Sequence, residues 1–134
     1  MEQKEWFANT TYFRNNYVFG IELIAEDRLI GSCGLHDFDT ISRKAELRMK
    51  IFESQQRGKG IGTEALTQLL AFGFKDINLH KIWLRVLADN LAGIKLYQKA
   101  GFMTEGKLRE DIYIKGIYKD IVVMSLLKSE YGND

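Results

Sequence analysis

Gln55-Gln56-Arg57-Gly58-Lys59-Gly60-Ile61-Gly62-Thr63-Glu64, followed by Ala65 to Phe74, is the stretch that decides how the rest of the chain is read. Three glycines at alternate positions let the backbone bend tightly, and apolar side chains at 61, 65, 66, 69, 70 and 74 then follow the helical repeat. The pattern predicts a glycine loop opening a helix. Unpaired N–H groups at such a turn, together with the positive end of the helix dipole, make a phosphate or pyrophosphate the natural guest. Two familiar phosphate loops are excluded. A P-loop needs Ser or Thr directly after Gly-Lys, and here Gly60 follows Lys59; a dinucleotide fingerprint needs Gly or Ala where Thr63 stands.

Outward from the loop, Ala45 to Phe52 reads as the strand entering it. Lys81 to Ala88 reads as a largely apolar strand of the kind buried on both faces. Strand, loop, helix and strand form a βαβ unit, whose right-handed crossover makes the strands parallel and places the ligand at their carboxyl ends. Tyr17 to Leu23 and Leu29 to Phe38 flank a polar turn and predict an antiparallel hairpin, with Gly31 and Gly34 marking a bulge or a close neighbour. Asp89 or Asn90 can cap a second helix from Leu91 to Ala100, ended by Gly101. Met103 to Ile114 and Ile117 to Leu127 flank the hairpin signal Lys115-Gly116. Residues 1–16 predict a short amphipathic helix carrying Trp6, Phe7, Tyr12 and Phe13. The fold class is therefore α/β, a mixed sheet with flanking helices.

A chain of 134 residues is expected to form one domain, residues 1–134. Its 19 basic and 18 acidic residues are interspersed, so neither a nucleic-acid face nor a membrane-binding run is expected. One cysteine precludes an internal disulfide, and without a signal peptide or an apolar run of about 18 residues the expected setting is cytoplasmic. The chain contains no proline, a fact with no functional reading.

The spacing Arg57-x-x-Gly60-x-Gly62 resembles the acetyl-CoA pyrophosphate loop of the GNAT acetyltransferase superfamily. Downstream, Asn90 opening a helix, Leu96-Tyr97 and Gly101-Phe102 are similar to a second signature of that superfamily. The tail, with Glu105-Gly106-Lys107-Leu108-Arg109, Gly116-x-Tyr118-x-Asp120 and Met124, resembles the branch holding ribosomal-protein alanine, polyamine and amino-sugar acetyltransferases. That branch usually has a further strand and helix ahead of the segment matching Lys4 to Phe13. Their lack implies a truncated or divergent member, or an acceptor wall supplied by a partner chain.

The resemblance implies a GNAT fold: a mostly antiparallel sheet with one parallel βαβ pair. It implies acetyl-CoA as co-substrate, no metal, and direct transfer to a primary amine: a protein amino terminus, a polyamine or an amino sugar. A homodimer remains open. Backbone groups of Arg57, Gly58, Lys59, Gly60, Ile61 and Gly62, with the Thr63 hydroxyl, would hold the pyrophosphate, Lys59 either touching it or standing solvated beside it. Ile51, Phe52 and Glu53 would pair with the pantetheine arm as an added strand. Asn90 would offer its amide to that arm, cap its helix, or do both.

Acetyl transfer also needs a neutral amine and a stabilised leaving thiolate. Tyr97 is the candidate proton donor to the thiolate, its phenol near pKa 10 against roughly 8.5 for a thiol; the alternative is a core tyrosine bonded to backbone. Glu46 resembles a strand glutamate that serves as general base; the alternatives are a solvated glutamate and proton transfer through ordered water. Cys33 reads as a small buried residue rather than an acetyl-carrying nucleophile. His36 and His80 lack metal-ligand spacing; His36 near Asp37 is a candidate pocket lining, and His80 a loop residue. Asp37, Asp39 and Glu46, if gathered, would suit a cationic acceptor. A non-catalytic acyl-CoA-binding module is the competing class.

Overall fold

The computed structural model describes residues 4–6, 11–13, 15–23, 27–51 and 60–132. Eight strands lie among them: β1 (Lys4–Trp6), β2 (Thr11–Phe13), β3 (Asn16–Leu23), β4 (Arg28–Asp39), β5 (Lys44–Ile51), β6 (Lys81–Leu87), β7 (Met103–Ile114) and β8 (Ile117–Leu127). They form one sheet in the order β1-β3-β4-β5-β6-β8-β7, with β2 also on β3. Helix α1 (Ile61–Ala71) bridges β5 and β6, and α2 (Leu91–Lys99) bridges β6 and β7. Only β5 and β6 are parallel; every other described pairing is antiparallel. The expected mixed sheet with a single βαβ unit is what forms.

One expected helix needs correction. The helix over residues 1–16 is overturned at its described parts: β1 and β2 both pair antiparallel with β3, and the remainder lies outside the described residues. Thr11, Tyr12, Phe13 and Trp6 have high strand propensity, and the open edge of β3 supplies backbone partners that a solitary helix could not use. The helix expected to run to about Lys75 does continue to Asp76, with α geometry to Ala71 and then a wider π turn at Phe72–Asp76, marked by Ile77 N–H donating to Phe72 O at 3.1 Å. An extra residue in that turn seats Gly73 against Ile82 and Leu35 and stacks Phe74 on Tyr131 at 4.8 Å.

The hairpins stand where the turn chemistry places them. β3 and β4 pair with a bulge at Ile21/Glu22, and a Cβ at Gly31 or Gly34 would sit 2.4 or 2.5 Å from the carbonyl oxygens of Lys50 and Tyr17. Both expected causes, bulge and close neighbour, are therefore present. At the β7–β8 turn Lys115 and Gly116 both have positive φ, 49° and 82°, the primed geometry that matches strand twist.

The two helices share one face of the sheet. Ile61, Ala65, Leu66, Leu69 and Leu70 of α1 are buried, and they pack in one cluster with Ala45, Leu47, Ile82, Leu84, Met124 and Leu126. Burying each large aliphatic side chain contributes roughly 1.5–3 kcal/mol. Side chains alternate along a strand, so Glu46, Arg48, Trp83, Arg85 and Leu87 point to the opposite face. There Arg85 is exposed and Trp83 and Leu87 are half-buried, which corrects the reading of residues 81–88 as buried on both faces.

Candidate active site

The parallel ladder between β5 and β6 is short, with pairs only at Lys44↔Lys81, Ala45↔Ile82 and Glu46↔Trp83. Beyond Glu46 the strands part, β5 running on to Ile51 and β6 to Leu87. The resulting wedge opens at the carboxyl ends of two parallel strands, where ligands of such sheets bind. One cavity flanks the wedge on the helix face, and another on the opposite face.

The helix-face cavity, about 490 Å³, is lined by Ile51, Gly60, Gly62, Thr63, Asn90 and Tyr97. Six residues expected from sequence are thus brought together from β5, α1 and α2. Met49, Ala92, Gly93 and Leu96 complete the wall and were not foreseen. Met49 carried a signal, since it shares a strand face with Ile51 two residues on. Ile61 is not among the lining residues: its side chain is buried in the core, which leaves only its backbone for a ligand. Phe52, Glu53, Arg57, Gly58 and Lys59 lie outside the described residues.

Gly60 caps α1 with φ 80°, a conformation that favours glycine, and among the described residues no side chain caps this helix end. The first-turn N–H groups of Ile61, Gly62 and Thr63 therefore have no intrahelical partner. At α2 the opposite holds: Asn90 Oδ1 accepts from Gly93 N–H at 3.0 Å, so the capping role assigned to Asn90 is realised while its side chain also borders the cavity.

The far end of α2 is closed by a Schellman cap. Phe102 N–H donates to Tyr97 O and Gly101 N–H to Gln98 O, both at 3.0 Å, with Gly101 at φ 106°. The contact that accompanies such caps is made by the Phe102 and Tyr97 rings, centroids 5.8 Å apart and edge to face. Gly101-Phe102 thus fixes the backbone and ring of Tyr97. Burial pushes the Tyr97 phenol above its ordinary pKa, keeping it protonated, and among the described residues its hydroxyl has no hydrogen-bond partner.

On the opposite face, a cavity of about 470 Å³ is bordered by the charged Glu46, Arg48, Arg85 and Asp111 and by the apolar Leu87, Ile112, Ile114 and Ile121. Glu46, 3% exposed, accepts four guanidinium hydrogen bonds. Arg48 Nη2 and Nε donate to Oε1 at 2.8 and 3.2 Å, while Arg85 Nε donates to Oε2 at 2.8 Å and Nη2 to Oε1 at 3.2 Å. Burial alone would push this carboxyl up, but the bonds and charges of Arg85 and Arg48 outweigh it, and it lies below the ordinary carboxylate range. Arg85 rests on the Trp83 ring at 5.6 Å.

Two of the acidic trio gather, since Asp37 and Glu46 both face Arg48 Nη2, while Asp39 stands apart. Asp37 is exposed and faces Arg48 at 3.6 Å, whereas Asp39 holds a turn by accepting Ile41 and Ser42 N–H at 2.9 Å, which lowers its carboxyl. His36 stands opposite Glu46 in the β4–β5 register but is not among the residues bordering either cavity; burial, then Arg48, lower its imidazole. Cys33 is buried, its thiol pushed up to about 12 by desolvation, which agrees with the inert reading. His80 is exposed between the π turn and β6. Among the described residues no three His, Cys, Asp or Glu side chains group as metal ligands, and no helix is long and apolar enough to cross a membrane.

Comparison with known proteins adds to this geometry. Residues 1–103 match the family described as "Acetyltransferase (GNAT) domain". The chain is 37% identical over 109 residues to a spermidine N(1)-acetyltransferase of Vibrio cholerae, an alignment covering 81% of this chain and 62% of that protein. It is 34% identical over 117 residues to a putative ribosomal N-acetyltransferase of Bacillus subtilis, covering 86% and 63%. The chain thus spans somewhat under two thirds of the length of these curated relatives. A solved structure of spermidine N-acetyltransferase from Vibrio cholerae in complex with CoA and spermine superposes with a TM-score of 0.83 at 35% identity, over 90% of this chain and 70% of that one.

Proposed function

Because this chain belongs to the GNAT acetyltransferase family, we propose that it transfers the acetyl group of acetyl-CoA directly to a primary amine. The observation that carries the reading is the wedge between β5 and β6, open on one side to a cavity that holds the α1 amino terminus, Asn90 and Tyr97 together. In this reading the donor lies on the helix face. Its pyrophosphate meets the backbone of Arg57 to Gly62 and the Thr63 hydroxyl, and its pantetheine arm lies along Ile51, Phe52 and Glu53 beside Asn90. A relative solved in complex with CoA supports acetyl-CoA as the donor.

The thioester carbonyl then sits in the wedge, and the amine reaches it from the opposite face. Attack by the neutral amine forms the C–N bond, collapse of the tetrahedral adduct breaks the C–S bond, and the Tyr97 phenol gives its proton to the departing sulfur. Lowering of the Glu46 carboxyl by two arginines makes it a weak acceptor for the amine's proton, which we route through water to solvent. Glu46 then serves as a positioning residue that holds Arg48 and Arg85. Aminolysis of a thioester requires no metal as reactant, and acetyl-CoA as donor fits a cytoplasmic enzyme.

Thiol release from acetyl-CoA, followed over a panel of amines, tests the reading: acceptor-dependent release is expected. Tight donor binding by calorimetry with no release for any amine would instead identify a non-catalytic acyl-CoA-binding module.

A further inference from the structure

Resting on the transferase reading above, we propose that Asp37 and Asp111 receive the ammonium of the acceptor, and that Asn16 and Asp120, which border neither cavity beside the wedge, are the residues that position them. Each receiving carboxylate stands in a β-bulge. On β4, Asp37 and Phe38 oppose the single Ala45 of β5, since the register passes from His36↔Glu46 to Asp39↔Lys44. On β7, Arg109, Glu110 and Asp111 oppose the single Asp120 of β8, between Leu108↔Ile121 and Ile112↔Lys119. A regular strand turns successive side chains to opposite faces, yet Asp111 and its neighbour Ile112 border one cavity, and Asp37 reaches Arg48 although His36 before it already lies opposite Glu46. Bulges re-aim side chains in this way. Both need backbone that residues other than glycine rarely adopt, φ 55° at Asp37 and 49° at Glu110, and it persists only where the surroundings impose it.

The same kind of tie imposes it twice. Asn16 Oδ1 accepts Asp37 N–H at 2.8 Å, with Phe38 N–H donating to Asn15 O beside it, and Asp120 Oδ1 accepts Glu110 N–H at 2.8 Å. Asp120 belongs to the tail motif Gly116-x-Tyr118-x-Asp120, to which the transferase reading gives no other task. The bulges bring their carboxylates to the two arginines. Arg48 pairs with Glu46 at 2.8 Å and faces Asp37 at 3.6 Å, while Arg85 pairs with Glu46 at 2.8 Å and feels the charge of Asp111, which borders the same cavity. Three carboxylates against two guanidiniums leave one negative charge around the pair. Glu46 is buried and already accepts four bonds, whereas Asp37 and Asp111 are exposed, so it is these two that can take the three donors of an ammonium. A primary amine arrives in that form at neutral pH, its pKa being near 10. It docks on the exposed carboxylates and gives its proton to water before the neutral nitrogen attacks the thioester.

Thiol release from acetyl-CoA is measured with spermidine, alaninamide and glucosamine, and the variants are compared on the amine that the unaltered chain uses best. Asp37→Asn and Asp111→Asn are each expected to raise the acceptor KM by roughly three- to tenfold, with kcat and the calorimetric acetyl-CoA affinity retained. Asn16→Ala and Asp120→Ala should raise it similarly, and because they act through the two carboxylates, Asn16→Ala added to Asp37→Asn, or Asp120→Ala added to Asp111→Asn, should cost nothing further. Asp120→Asn keeps an oxygen for Glu110 N–H while removing the charge that Lys107 faces at 3.8 Å, and should recover most of the loss. Asp37 and Asp111 are exposed, so their variants keep the test decisive where a tie variant does not fold. An unchanged acceptor KM in both of those variants overturns the docking, and additive losses in the doubles overturn the positioning role; either result leaves the transferase intact. Absence of release by the unaltered chain with all three amines overturns both.

Discussion

Replacing Glu46 with glutamine separates a structural anchor from a catalytic base. The substitution keeps the shape of the side chain, but it puts an NH₂ where Oε1 or Oε2 now accepts, so one guanidinium meets a donor instead of an acceptor. Breaking a fully buried ion pair costs about 3–5 kcal/mol. Both arginines are about half exposed, so water recovers part of that and the expected loss is about 2–3 kcal/mol. With a urea m-value of roughly 1–3 kcal/mol/M, the unfolding midpoint should fall by roughly 0.7–3 M.

The sign with pH follows from the lowered carboxyl. Its stabilisation is full above the unfolded value, near 4.5, and is lost as pH falls through the lower folded value. The Glu46→Gln variant should therefore be less stable than the parent at pH 7 and converge toward it in acid. Asp39 and Glu105, whose carboxyls are also lowered, keep some acid slope in both. If water carries the proton, the pH–rate profile of the variant keeps its shape. Equal stability at pH 7, or disappearance of a single basic limb from the profile, would refute this account of Glu46.

Two other outcomes are expected. Tyr97→Phe should lower kcat by about 10²–10⁴, the usual worth of a general acid, with acetyl-CoA affinity by calorimetry unchanged; an unaltered rate removes the proton-donor role. Gly101→Ala forces a side chain onto a backbone at φ 106° without a steric clash, its nearest neighbour being Leu126 at 3.4 Å, so the loss of about 1–3 kcal/mol is conformational. A melting temperature within one degree of the parent would contradict it.

What could be read from the chain alone were features encoded by near neighbours. The glycine loop ahead of a helical repeat, Lys115-Gly116 between two strand runs, and Asn90 with Gly101 at the two ends of α2 each act within a few residues. The Arg48–Glu46–Arg85 cluster was not legible. Glu46 and Arg85 are 39 positions apart and meet only because the parallel ladder sets Glu46 opposite Trp83. Arg85, a charge inside an otherwise apolar strand, was the one sign that this strand has a wet face. The described parts of the first sixteen residues were misread for the same reason, since β1 and β2 depend on the edge of β3 rather than on their own periodicity.

The three-pair ladder between β5 and β6 divides the sheet into two plates, β1 to β5 on one side and β6 to β8 on the other, joined by a narrow hinge. In the proposed transferase, an extended arm lying against β5 would supply rungs that the described strands omit, so the donor would complete the sheet. Arg48 rides on one plate and Arg85 on the other, with Glu46 as the clasp between them. The clasp therefore spans the gap that the proposed donor would fill, and the two guanidiniums it joins belong to different plates of one sheet.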